Sequence, residues 1–491
     1  MKPSRTLWLA LAGAVLVLQP AQAQTDQAQT DQAQTDQAKS LLDALSLVTG
    51  GALIALGQAP QVTQDGDQFH VRVPLPKLVT PADSAIDAAA TQLDTGAWQV
   101  TSVSFPQTAT LWVTSQPGKP PVSTGYTIGR QSVQAQLDPT LASPSSYAIA
   151  LGDIALTDSA AQPGDHLTLG SLTWDGTITG DTKGLMNTRS VASADNWDMV
   201  AHSSAGVPAT ISLRSLKVRS SIDGLDRTRI LHLRENLAAI AANQSPPVPG
   251  QPSGPSPQQR EQIRAMLEIF TGLLSAMSVE ESFQGLHVET ASGTGDIGEM
   301  RFAMAGQARN DHIAVQSDIG VSDMAFPAVP AAFAPIVPRR VALRTAISGI
   351  QAEGLRRLLR EAMMDGANPV ALQSRAIALL NEPGARAGIE SLSVEAGPLL
   401  LQGSGRVRPL PDGTAAFDLH LTAHGLDSLI ALVQAEPKAQ QVMPMLFMVR
   451  GMGKPESGDT VWDIAFAHGI TTVNGAPIGP NPNAPRPPGK P

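Results

Sequence analysis

The stretch AFDLHLTAHGLDSLIALV, residues 416–433, decides the fold prediction. Its first half alternates apolar and polar residues, which is the pattern of a strand that buries one face. Its second half places apolar residues at the spacing of a single helical stripe, at Leu426, Leu429, Ile430 and Val433. The sequence therefore predicts a strand that leads directly into a short amphipathic helix.

Two other stretches carry the same pattern, at residues 341–362 and, less regularly, at 211–233. Gly425, Gly354 and Gly224 stand at the predicted junctions, where glycine can cap a helix or adopt an unusual φ. We therefore predict an α+β fold. It consists of long, curved antiparallel β-sheets that are covered by short amphipathic helices and arranged in two similar halves.

The N-terminus has the features of an export signal. Lys2 and Arg5 precede a short apolar run from Leu7 to Leu18, and residues 21–23 (AQA) have the small side chains of a cleavage site. No later run is long and apolar enough for a transmembrane helix. We expect cleavage after Ala23 and a mature protein that is periplasmic or secreted.

Composition narrows the class of protein. The chain has 491 residues and no cysteine, which excludes disulfides, thiol nucleophiles and cysteine-ligated metal centres. Its net charge of −9 argues against nucleic-acid binding. Aromatic residues make up 4% of the chain, too few for the stacking surfaces of a carbohydrate-binding protein.

Compositional breaks divide the chain into segments. The unit QTDQA occurs three times before Lys39 and has no large apolar side chain, so we expect it to be flexible. A proline-rich run marks a linker near the middle of the chain. The predicted segments are a signal peptide at 1–23, a disordered repeat linker at 24–39, an N-terminal strand-rich half at 40–243, a Pro-rich linker at 244–259, a C-terminal strand-rich half at 260–479 and a disordered tail at 480–491.

Periodicity predicts individual elements within these segments. Helices are expected at 40–56, with a break at Gly50–Gly51, and at 256–277 and 371–380. Strands are expected at 69–75, 98–103, 147–156, 166–172, 174–178, 284–290, 301–308, 312–321, 389–396 and 399–407. Turns are expected at 65–67, 175–176, 180–181, 292–295, 403–405, 468–469 and 474–475. Calcium binding is the alternative for the aspartate–glycine clusters, but no 12-residue ligand series follows them.

His420 and His424 have the spacing of a metal-binding pair on a helix. The surrounding alternation predicts a strand instead, in which four residues span roughly 13 Å. That is too far for two nitrogens that each lie about 2 Å from one zinc ion. We therefore expect both side chains to face solvent, and we assign no metal, catalytic or cofactor-binding residue.

Arginines gather around the second strand–helix unit, at Arg339, Arg340, Arg344, Arg356, Arg357 and Arg360. One interpretation is contact with anionic headgroups or with an acidic partner at a membrane surface. The other is a solvated helix face, which Glu353 and Glu361 favour because each lies four residues from Arg357.

Three features resemble YdgA-like and related exported bacterial envelope proteins of unknown function. They are the strand at 341–347 that follows Pro338, the Gly-Leu helix starts at Gly354 and Gly425, and the closing run VNGAPI at 473–478. The resemblance covers mainly residues 260–479. It implies a periplasmic, strand-rich protein and brings no catalytic residues.

The sequence leaves three functions open. The first is a non-enzymatic envelope protein that binds an apolar ligand such as a lipid, or a membrane-associated partner. The second is an exported hydrolase with an unrecognised site, since a triad of distant residues leaves no local motif. The third is a structural protein without a ligand. We favour the first because P-loop, dinucleotide-binding and serine-hydrolase motifs are missing, and we expect no cofactor.

Overall fold

A computed structural model of the chain describes residues 32–49, 60–75, 79–113, 122–138, 141, 143–158, 165–180, 184–202, 206–228, 277–327, 329, 331–363, 369–410, 412 and 414–478. Statements about structure refer to these residues. The predicted signal peptide, the Pro-rich linker, the tail and almost all of the predicted helix at 256–277 lie outside them.

The predicted α+β class, with sheets covered by helices in two similar halves, is wrong. The described residues form 22 β-strands, whose pairings within each compact unit are antiparallel, and only five α-helices. Some of the longest strands were missed because they run through polar sequence. Val122–Asp138 and Leu185–His202 are rich in Ser, Thr, Gln, Asn and Asp, so no apolar run marks them. The strand-rich character that the sequence predicts is confirmed.

The chain divides into two compact units, each described by itself. The N-terminal unit contains helix α1 (Gln32–Thr49) and ten complete strands. These are β1 (Gln61–Asp65), β2 (Gln68–Pro74), β3 (Val79–Thr80), β4 (Ala85–Gln92), β5 (Trp98–Ser104), β6 (Thr108–Val113), β7 (Val122–Asp138), β8 (Ser143–Asp158), β9 (His166–Gly180) and β10 (Leu185–His202). Strand β11 (Pro208–Asp226) contributes Pro208 and residues 217–226 to this unit and residues 209–216 to the other.

The N-terminal unit buries its core beneath α1. Its strands pair in the order β1, β2, β4, β5, β7, β8, β9 and β10, with β6 beside β7 and β3 beside β6. Leu41 of α1 is buried with Phe69 and Trp98, whose rings meet edge to face with centroids 5.1 Å apart. The helix begins at Gln32 rather than at the predicted Ser40, since Ala, Gln and Lys are good helix formers.

The C-terminal unit contains the remaining helices and strands. Its helices are α2 (Ala352–Met363), α3 (Pro369–Leu379), α4 (Leu426–Gln434) and α5 (Met443–Met452), with 3-10 helices at Ala331–Ile336 and Pro437–Val442. Its complete strands are β12 (Met277–Thr290), β13 (Gly293–Arg309), β14 (His312–Ala325), β15 (Arg340–Gln351), β16 (Arg386–Ala396), β17 (Leu399–Pro409), β18 (Ala415–His424), β19 (Lys454–Glu456), β20 (Asp459–Ala467), β21 (Ile470–Val473) and β22 (Ala476–Ile478). Strands β12 to β18 pair in sequence order, β20, β21 and β22 follow β18, and β19 lies beside β20.

The strand and helix predicted at 416–433 are confirmed as β18 and α4. Gly425 joins them with φ 75°, a left-handed conformation that glycine adopts readily. A Cβ on this residue would lie 2.1 Å from the carbonyl oxygen of Pro398. The four stripe residues of α4 are buried against the sheet and form a core that includes Trp462 and Val473. The indole N–H of Trp462 donates to the carbonyl of Val449 at 2.9 Å.

The other two strand–helix units are confirmed only in part. Strand β15 runs into α2 as predicted, but Gly354 lies inside the helix and not at the junction. Gly224 lies within β11, and helical conformation begins at residue 227, three residues after the predicted junction. The rest of the helix predicted there lies outside the described residues. The φ of Gly224, 69°, fits the strand because its backbone N–H donates to the amide oxygen of Asn187 at 2.9 Å.

Of the turns predicted at glycines, some are confirmed and others are wrong. His468–Gly469 and Asn474–Gly475 are turns, and all four residues have positive φ. The turns predicted at Asp175–Gly176 and at Gly403–Gly405 are wrong, because both stretches lie inside strands. There a neighbouring side chain occupies the space of the missing Cβ. The ring of Tyr147 covers Gly176, and Leu421 covers Gly403.

Both units contain strands that are distorted at mid-length. In the N-terminal unit Gly129 lies opposite Asp153, whose φ is 53°. In the C-terminal unit Gly298 lies opposite Asp323, whose φ is 54°. A Cβ on either glycine would come within 2.9 Å of the aspartate Cβ. Left-handed residues within a strand change its direction, as bulges and glycine kinks do in curved sheets.

Candidate functional site

The C-terminal unit has a sheet face on which apolar residues form unbroken rows across the strands. Directly opposed residues in one row are Phe283, Met300, Val321, Val341, Val394 and Leu401. A second row contains Phe302, Ile319, Leu343, Leu392, Gly403 and Leu421. A third contains Val315, Ile347, Ala387, Val407, Phe417 and Phe466. We refer to these three rows as the C-terminal apolar face.

The opposite face of the same strands carries charged pairs. Arg301 lies 3.2 Å from Glu280, and Arg340 lies 3.2 Å from Glu395 on the neighbouring strand. The guanidinium of Arg344 donates to Asp318, and this hydrogen bond raises the pKa of the arginine. Because side chains alternate along each strand, one face of this sheet is apolar and the other is ionic.

The C-terminal apolar face is covered only in part. Helices α4 and α5 pack over its β17–β20 end, where Leu401 and Leu421 contact the buried core. Away from that end Ile319 is 42% exposed and Ile347 is 48% exposed, and Phe466 on β20 is 46% exposed even though it lies at that end. Apolar surface of this kind marks sites of ligand binding or association on soluble proteins.

Three polar side chains interrupt the apolar surface. Ser317 on β14 and Thr345 on β15 lie on the apolar side of the sheet. Their hydroxyl oxygens are 2.7 Å apart and share a hydrogen bond. Glu281 on β12 lies opposite Phe302, at the β12 end of the second row. This carboxylate lies on the apolar side of the sheet, where a ligand with a polar head and an apolar tail would meet both kinds of group.

The N-terminal unit carries a shorter apolar row of its own. Opposed residues on β7, β8, β9 and β10 are Val133, Ile149, Trp174 and Ala192. Tyr147 lies on the same side and contacts Trp174 edge to face, with ring centroids 5.2 Å apart. Burial raises the pKa of the Tyr147 phenol, which reflects its apolar surroundings.

The two histidines of the opening stretch face solvent, as predicted. Each pairs across the strands with an aspartate on β20. His420 Nδ1 lies 2.8 Å from Asp463, and His424 Nδ1 lies 2.8 Å from Asp459. The described residues include no group of three or more His, Asp or Glu side chains arranged to hold a metal ion.

The six arginines proposed to contact an anionic surface lie on two elements. Arg340 and Arg344 belong to β15, Arg339 precedes that strand, and the other three belong to α2. Four of the six are paired with carboxylates. Besides the two pairs of β15, Glu353 binds Arg356 at 3.5 Å and Arg360 at 2.9 Å. Arg339 and Arg357 are exposed. Contact with an anionic surface stays a prediction.

Sequence periodicity missed the site because it treats each strand alone. The alternation on β15 and β18 was visible, but the rows depend on which residue faces which across eight strands. Bulges on β15 and β16 change that register, and no local pattern gives their positions. The sequence signal that could have indicated the apolar face is the alternation of apolar and polar residues that successive segments of similar length share.

No protein-family model, no curated protein and no solved structure matches the chain. Among the helices that the structure describes, none combines the length and the apolar character needed to cross a bilayer. The resemblance to YdgA-like proteins therefore stays a prediction, and the function is argued below from the geometry of the sheet.

Proposed function

We propose that the protein binds an apolar ligand with a long hydrocarbon chain, such as a lipid, on the C-terminal apolar face. One observation carries this proposal: rows of apolar residues run across the strands, while Ile319 and Ile347 on them remain about half exposed. Exposed apolar surface is costly in water, at about 25 cal/mol per Å². A hydrocarbon chain lying across the strands would remove that surface from water without requiring a hydrogen bond.

We also propose that the protein is exported and acts at the cell envelope. The positive start, the short apolar run and the small residues before Gln24 support export to the periplasm. A lipid, or a membrane-associated protein that delivers one, is the partner in this proposal. Sequencing the N-terminus of protein recovered from the periplasmic fraction tests the location. A chain that starts at Gln24 supports it, and an unprocessed cytoplasmic chain contradicts it.

The binding proposal is tested with a fluorescent fatty acid and delipidated protein. The double substitution Ile319→Asp/Ile347→Asp places two charges on the apolar face. We expect it to weaken probe binding at least tenfold, because a hydrocarbon chain cannot solvate a carboxylate. Both side chains are about half exposed, so the fold should tolerate the change.

Gln402→Asp is the matched control, since Gln402 is exposed on the opposite, ionic side of β17. We expect this variant to bind the probe as the wild type does. The proposal is wrong if the wild type binds no probe, or if the double variant binds as tightly as the wild type. Circular dichroism of the three proteins establishes that the comparison is made between folded chains.

A further inference from the structure

Helix α5 presents an uncharged apolar face to solvent. Met445, Phe447 and Met448 are between 52% and 57% exposed, and Pro444 and Gly451 lie on the same side of the helix. The opposite side packs into the C-terminal core through Met443, Leu446 and Val449. Apart from Arg450, α5 carries no charged residue, so apolar side chains occupy both its buried side and its exposed side.

The neighbouring helix α4 is joined to the end of α5 by an ion pair. Arg450 of α5 binds Asp427 of α4. Leu432 of α4 is 49% exposed, but it lies five residues after Asp427 and therefore about 140° around the helix from it, so it does not extend the surface of α5. We call Met445, Phe447 and Met448 the helical apolar patch.

We propose that the helical apolar patch docks on the interfacial region of a lipid bilayer. Its size argues against a stable protein interface. At roughly 200 Å² for a fully exposed side chain of this kind, the three exposed fractions amount to about 330 Å², less than half of the roughly 800 Å² that each partner of a stable dimer contributes. Reversible insertion of a short helix face into the acyl boundary needs no larger area.

The chemistry of the patch also favours lipid. Protein interfaces have a polar rim with about one hydrogen bond per 100–200 Å², whereas none of the three patch side chains has a hydrogen-bonding group. The one charged residue of α5, Arg450, is already paired with Asp427. Docking should therefore occur on neutral phosphatidylcholine and be insensitive to salt, unlike contact through the arginines of β15 and α2.

The test is co-sedimentation of the full chain with phosphatidylcholine vesicles at low and high salt. We expect the wild type to sediment with the vesicles and Phe447→Ser/Met448→Ser to lose at least fivefold in partitioning. Ile478→Ser, at a residue 44% exposed outside the patch, is the control and should behave as the wild type does. Circular dichroism checks that each variant is folded.

Three results would overturn the inference. They are a wild type that does not sediment with vesicles, a double variant that sediments as the wild type does, and a wild-type dimer that the double variant converts to a monomer. Docking through the helical apolar patch does not depend on ligand binding on the C-terminal apolar face. Vesicle binding by a protein that takes up no fatty-acid probe would support docking and contradict the proposed function.

Discussion

Gly425 is the residue on which the junction between β18 and α4 depends most directly. Its positive φ and the 2.1 Å approach of a hypothetical Cβ to the Pro398 carbonyl leave no room for a side chain. We expect Gly425→Ala to lower the free energy of unfolding by about 3 kcal/mol, from the left-handed backbone of an L-residue and from overpacking. Urea unfolding measures the change.

A substitution at Gly458 is the control that separates the conformational cost from the overpacking cost predicted for Gly425→Ala. The φ of Gly458 is 92°, but nothing lies within 4 Å of its hypothetical Cβ. Gly458→Ala should therefore lower the free energy of unfolding only by the conformational term, about 1–2 kcal/mol. Equal losses at the two positions would contradict the tight packing of Gly425 against the β16–β17 turn.

The ion pair between Asp427 and Arg450 should make the stability of the folded chain depend on pH. Hydrogen bonding by Arg450, with its positive charge, lowers the pKa of this carboxyl below the ordinary value of 3.8. A lowered folded-state pKa means that the stabilisation is complete above the unfolded-state pKa and is lost as the pH falls through the folded-state pKa. The stability difference between wild type and Asp427→Asn should be constant from about pH 7 to 5 and shrink below about pH 4.

Urea midpoints measured across this range test the prediction about Asp427. Asp153→Asn, in the N-terminal unit, serves as a comparison for the general effect of removing an exposed, paired aspartate. A difference for Asp427→Asn that grows as the pH falls would show that the ion pair with Arg450 does not stabilise the folded chain.

Within single elements, a glycine in the middle of one strand leaves room for a left-handed residue on the neighbouring strand. A Cβ at Gly298 would lie 2.6 Å from the Cβ of Asp323. We expect Gly298→Ala to cost about 1–3 kcal/mol, because β13 and β14 cannot separate without breaking their hydrogen bonds. Hydrogen exchange of β13 and β14 amides should locate the loss there.

Gly320 on β14 is the control for this substitution, since nothing lies within 4 Å of its hypothetical Cβ. Gly320→Ala should leave stability unchanged or raise it by about 0.4–1 kcal/mol through the unfolded chain. A loss at Gly320 as large as that at Gly298 would mean that the close approach to Asp323 does not govern the distortion.

Single elements were predictable where apolar periodicity was local. The alternation at 341–347 and the stripe at 426–433 gave β15, β18 and α4 because each pattern buries one side of its own element. The turn predicted at Gly403–Gly405 is wrong because residues of the next strand fill the space above both glycines. Leu421 lies over Gly403, and Phe417 and Leu419 lie over Gly405. Those contacts depend on tertiary register, which a local turn signal cannot represent.

At the scale of the whole molecule, the sequence indicated a strand-rich protein but overestimated the helices. Polar strands such as β7 and β10 extend the sheet through residues that no apolar pattern marks. The candidate arginine site was visible as composition, yet Glu353, Asp318 and Glu395 pair with four of its six members. The apolar face was expected only in general terms, because its rows emerge from pairing across many strands.

Photo-crosslinking with a diazirine derivative of palmitic acid tests the central claim most directly, because it reports which side of the sheet the ligand contacts. Delipidated protein is labelled, digested and analysed by mass spectrometry. We predict adducts on the C-terminal apolar face, at or beside Ile319 and Ile347, and competition by unlabelled palmitic acid. Absence of adducts, or equal labelling of the ionic side around Gln402, would contradict the account.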